Sequence, residues 1–134
     1  MRYTDHSRYH YVVKEYASLY PLALRGRVGE YFVRNSGTAL GGIIDDRIFL
    51  NPGYASNGCS WSPNTKRSTP GCIWHDMLEQ VRSLYPEAIT EAETAAILLE
   101  IHTADECRWA KAAHFALTSK ITAPLRWLYR TINK

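Results

Sequence analysis

Residues 69–85, TPGCIWHDMLEQVRSLY, divide the chain into two halves of different periodicity. Thr69 followed by Pro70 reads as an N-cap and a first-turn proline, and Pro86 ends the segment just beyond Tyr85. Between them Ile73, Met77, Leu78, Val81 and Leu84 recur at the spacing of a helix with one buried face. Upstream the pattern is extended. Residues 9–16 contain Tyr9, Tyr11, Val12, Val13 and Tyr16, residues 30–34 contain Tyr31, Phe32 and Val33, and residues 42–50 contain Ile43, Ile44, Ile48, Phe49 and Leu50. Asn35-Ser36-Gly37 and Asp45-Asp46 are the turn tips, giving a meander of three or four antiparallel strands.

Downstream, Thr90-Glu91-Ala92-Glu93 is a capping-box pattern for a second helix to about His102, burying Ala92, Ala95, Ala96, Leu99 and Ile101. Thr103-Ala104-Asp105-Glu106 repeats the pattern for a third helix to about Ser119, and a short fourth follows Ala123-Pro124. The expected fold is therefore α+β, a small antiparallel sheet packed against three to four C-terminal helices in one domain over residues 1–134. Strands occupy 1–50, helices 70–134, and residues 51–69 form a long loop rich in Pro, Gly, Ser and Asn. Loops of that length in a domain of this size tend to be functional or disordered, and Tyr54 and Trp61 argue against disorder because they would anchor this one to the core.

The 134 residues are 46% hydrophobic and 12% aromatic, enough for a core and too apolar for a disordered tail. The net charge of +3 excludes a polycation, but it is unevenly distributed. Residues 1–75 hold nine basic and five acidic side chains, 76–106 one basic and eight acidic, and 107–134 six basic and none acidic. Arg126, Arg130 and Lys134, interleaved with Trp127 and Tyr129, could meet an anionic surface, or could face the acidic helices intramolecularly. Nucleic acid is not the expected partner. The amino terminus lacks the apolar stretch of a signal peptide, and no run is long enough for a transmembrane segment.

Cys59, Cys72 and Cys107 are odd in number and lack C-x-x-C spacing, which argues against a disulfide framework and a sulfur-rich zinc site. They read as small buried hydrophobes in a soluble protein kept reduced. The alternatives are a reactive thiol or a single bridge such as Cys59 to Cys72.

The most chemically pointed dipeptide is His75-Asp76. Histidine is the natural acid/base group near neutral pH. Glu79 at i+4 and Arg82 at i+7 share its helix stripe, so Glu79 can orient His75 or act as co-ligand. The structural alternative is a half-buried helix histidine bonded to Glu79, with Asp76 favoured near the helix amino end. His6, His10, His102 and His114 have no carboxylate or thiol at zinc-ligand spacing.

The stretch 49–60, FLNPGYASNGCS, followed by Ile73-Trp74-His75-Asp76 and by Glu91-Ala92-Glu93 at a helix start, resembles a phage and prophage family catalogued as a domain of unknown function, family 1353. That pattern is P-x-G-F-x-T-D-x-x-S, a proline-bearing loop, an A-x-x-H-D-x-x-Y helix, and a helix opening E-A-D. The resemblance spans about residues 48–118, and Pro52, Gly53, Ser60, His75 and Asp76 match outright. The family's acidic residue is Asn57 in this chain, its tyrosine is Glu79, and its aspartate is Glu93. An amide at 57 weakens a divalent-cation site.

The resemblance implies a small phage-type protein with a His-Asp centred polar site, readable as a metal-assisted hydrolase. His75 is then the general base, Asp76 binds a divalent cation or orients His75, and Glu79 or Glu93 supports it. Asn57, Ser60, Tyr54 and Trp61 complete the pocket. The alternative is a non-catalytic virion or host-interaction protein, whose partners are phage structural proteins or a host protein. Both place the chain in the host cytoplasm, the virion, or both.

Overall fold

The strands form two antiparallel sheets rather than a single meander. β1 (Tyr3–His6), β2 (His10–Val13) and β7 (Ala55–Ser56) make a three-stranded sheet in that order. β3 (Ala17–Leu19), β6 (Arg47–Leu50), β5 (Thr38–Ile44) and β4 (Glu30–Asn35) make a four-stranded one. The computed structural model describes residues 1–6, 10–59, 65–105 and 107. Within the described part of the run at 9–16 only His10–Val13 is strand, β2, which pairs with β1 and β7; β3 starts beyond the run at Ala17 and pairs with β6.

The anticipated turns are where the backbone needs them. Ser36 and Gly37 both have positive φ, 51° and 82°, as a two-residue hairpin with the right-handed twist requires. At the β5–β6 tip Asp45 has φ 55°, donates its N–H to Gly29 O (2.7 Å) and accepts Gly29 N–H at Oδ1 (3.0 Å). The side-chain acceptor makes this conformation tolerable without glycine.

Two helices follow, α1 (Thr69–Leu84) and α2 (Glu91–Ala104). α1 buries Ile73, Trp74, Met77, Leu78 and Val81, while Leu84 is exposed. Its N-cap is Ser68, one residue before the position read from sequence, and Thr69 is the first helical residue. Gly41 in β5 lets the helix approach the sheet closely. A Cβ there would lie 2.9 Å from Met77 Cγ and 3.1 Å from Phe49 O. One apolar cluster joins both halves of the chain, from Val13, Leu24, Ile43 and Leu50 to Ile73, Met77, Ile89 and Ile97. Each such buried side chain contributes roughly 1.5–3 kcal/mol of transfer free energy.

α2 starts with the expected capping box. Thr90 Oγ1 accepts from Glu93 N–H (3.1 Å), and Glu93 Oε1 accepts from Thr90 N–H (2.9 Å). Its buried stripe is Thr94, Ala95, Ile97, Leu98, Ile101 and His102; Ala92, Ala96 and Leu99 are only partly buried. Apolar residues surround this helix, so periodicity alone did not select the inner face. α2 also runs through Thr103, whose hydroxyl donates to Leu99 O (2.7 Å), so Thr103 is not the N-cap of a new helix. The described residues thus hold two α-helices, not three to four, and the remaining expected helical residues, 108–134, lie outside them. Among the described residues no helix is long and apolar enough to cross a membrane.

Candidate functional site

The loop after β6 is folded back by the turn at Asn51–Gly53. Gly53 has φ 99° and donates its N–H to Val13 O (2.8 Å), and Val13 N–H returns a bond to Tyr54 O (2.8 Å). This register aligns β7 with β2 and brings Ser56, buried in the interior, against α1. Part of the supposed irregular loop is therefore strand.

Ser56 Oγ donates to Asp76 Oδ2 (2.5 Å) and accepts from Gly58 N–H (2.9 Å). A backbone hydrogen bond from Asn57 also reaches Asp76. Burial nevertheless raises the Asp76 pKa above the ordinary carboxylate value, against the opposing pull of Ser56, His75 and Asn57. Tyr54 is buried nearby, and its hydroxyl has no hydrogen-bond partner among the described residues. Burial, followed by the charge of Asp76, pushes its pKa well above the usual phenol range.

His75 is half-buried, with Nε2 3.5 Å from Glu79 Oε1. Burial lowers its pKa below 6.5, while Glu79 and Asp76 pull it upward and Arg82 lowers it further. The imidazole is consequently neutral at neutral pH. Glu79 is fixed from two sides. Arg82 Nη2 donates to Oε2 (2.6 Å), and the Thr94 hydroxyl shares its proton between Glu91 O (2.7 Å) and Glu79 Oε1 (3.2 Å). Ser56, bonded to Asp76, and Thr94, bonded to Glu79, are site residues that sequence reasoning missed. A buried threonine in the first turn of an alanine-rich helix was the available signal, since buried hydroxyls require partners.

The arrangement separates the residues read from sequence. His75, Asp76 and Glu79 lie together on α1, with Tyr54, Ser56 and the backbone of Asn57 against Asp76. Glu93 is engaged elsewhere: its carboxylate closes the capping box and pairs with Arg27, which also donates to Ala88 O. Ser60, Trp61, Arg126, Arg130 and Lys134 lie outside the described residues. Among the described residues no three His, Cys, Asp or Glu side chains form a set able to hold a metal ion.

Cys59 and Cys72 form a disulfide, which corrects their reading as isolated buried hydrophobes. The bridge ties the end of the Ser56 loop to α1, one turn before Asp76. Cys107 is the free cysteine among the described residues, and it is buried. On the inner side of the helix pair His102 is fully buried, its Nε2 3.4 Å from Ser68 O, and burial lowers its pKa. No family model, curated protein or solved structure matches the chain.

Proposed function

We propose that this protein is a small hydrolase of phage type in which His75 is the general base. The observation that carries this reading is the His75–Glu79 pair: a half-buried imidazole, held neutral by burial, beside a carboxylate fixed by Arg82 and Thr94. A neutral imidazole can take a proton from water as the water oxygen bonds to an electrophilic carbon or phosphorus, then return it to the leaving group. Glu79 orients the ring and stabilises its protonated form. Asp76, fixed by Ser56 and Asn57, positions the His75 turn in this scheme. The resemblance around Pro52-Gly53 and His75-Asp76 supports the phage assignment. The Cys59–Cys72 bridge supports the virion over the host cytoplasm, because disulfides persist in oxidising surroundings.

The test is turnover of chromogenic carboxylic-ester, phosphodiester and peptide-amide substrates by wild type, His75→Gln and Glu79→Gln. The expected result is loss of about a hundredfold in kcat/KM for His75→Gln, within the usual range for a general base. No turnover of any of the three classes, or turnover unaffected by His75→Gln, would overturn the reading. A second reading is favoured by the commitment of Asp76 to Ser56 and Asn57: the polar cluster only ties loop to helix, in a non-catalytic virion or host-interaction protein.

A further inference from the structure

A cleft of about 340 Å³, lined by neither His75 nor Glu79, runs between β3 and the carboxy-terminal turn of α2. Its size is that of a ligand pocket. β3 is the edge of the four-stranded sheet, pairing with β6 on one side and with no described strand on the other, and Ala17, Ser18 and Leu19 line the cleft. An unpaired edge presents backbone N–H and C=O groups to an extended chain.

The opposite wall is acidic. Glu100 and Asp105 line it. Glu100 Oε2 accepts Leu22 N–H (3.1 Å), whereas Asp105 Oδ2 is buried without a hydrogen-bond partner among the described residues. Burial raises the Asp105 pKa, and the group that opposes this is the amino group of Met1, another lining residue. An unmatched carboxylate acceptor in the cleft wall is satisfied best by a cationic N–H donor. The carboxy-terminal end of α2 adds its partial negative charge. Trp74, Pro21 and Pro70 supply apolar surface for an aliphatic stem.

We propose that this cleft binds an extended basic peptide segment of a partner protein, its backbone pairing with the open edge of β3 and a lysine or arginine side chain reaching Glu100 and Asp105. Strand addition supplies affinity, and the paired carboxylates supply selection for positive charge. The site uses neither His75 nor Glu79, so it stands independently of the hydrolase reading.

The experiment is a titration of the ¹⁵N-labelled full chain with a capped peptide alternating arginine and valine, and with its glutamate–valine counterpart. The amide resonances of Ala17, Ser18 and Leu19 are expected to shift with the first peptide. Binding should weaken about tenfold or more for the acidic peptide and for the Glu100→Gln/Asp105→Asn double variant, as expected when a steering and pairing charge is removed. The dispersion of the variant's spectrum verifies its fold. Absence of shifts at β3, comparable binding of the acidic peptide, or a double variant that binds as tightly as wild type would each overturn the proposal.

Discussion

Ser56 Oγ lies 2.5 Å from Asp76 Oδ2, so a two-residue strand and the second turn of a helix share one proton donor. Removing it in Ser56→Ala leaves Asp76 with the Asn57 backbone bond and removes the acceptor of Gly58 N–H. The expected cost is about 1–3 kcal/mol, read from urea unfolding at neutral pH. The Asp76 pKa should rise further, because the lost bond favoured the charged form; a carboxyl NMR titration checks the direction.

His75 and His102 both have pKa values lowered from 6.5 by burial. Below that value the unfolded chain binds protons that the folded chain resists. Stability is therefore expected to be fully present above about pH 6.5 and to decline as pH falls through 6.5 toward the lower folded values. Asp76 and Asp105, whose pKa values are raised, act with the opposite sign: their contribution falls as pH rises from 3.8. Urea midpoints across pH 5–8 should climb toward neutrality, and His75→Gln should flatten the climb. A profile unchanged by that substitution would contradict the assignment.

Gly71 sets the approach of the two helices. A Cβ there would lie 2.5 Å from both Cδ2 and Nε2 of His102 and 3.2 Å from Leu98 Cδ1. Gly71→Ala is expected to destabilise by about 1–3 kcal/mol, the usual cost of overpacking, despite alanine's better helix propensity. Thermal unfolding measures it, and a stabilised variant would show that the helices separate without cost.

Glu93→Ala removes a capping bond and the partner of Arg27. A loss of roughly 1–2 kcal/mol is expected, mostly from the cap, since the ion pair is partly solvated. Because Glu93 does not meet His75, turnover by the folded variant should match wild type; a large drop in kcat would restore Glu93 to the site.

The elements most legible in the sequence carry their own local chemistry. Thr90 and Glu93 cap α2 by side-chain bonds within four residues, and Ser36-Gly37 turns a hairpin through positive φ. What was not legible depends on residues far apart. The division into two sheets rests on Val13 bonding to Gly53 and Tyr54. The support of His75 rests on Thr94 from a second helix meeting Glu79. The Cys59–Cys72 bridge is one of the alternatives the sequence leaves open, and the approach of a loop to a helix decides it.

That bridge makes residues 59–72 a covalent ring whose ends are held 5.0 Å apart at Cα. A protease cutting inside the ring would nick the chain without parting it, so both fragments would migrate together until a thiol reductant separated them. The last four residues inside the ring belong to the scaffold, because Ser68 is the N-cap of α1, Thr69 and Pro70 open the helix, and Gly71 packs against His102. Reduction of the bridge would leave the Ser56–Asp76 hydrogen bond without its covalent reinforcement.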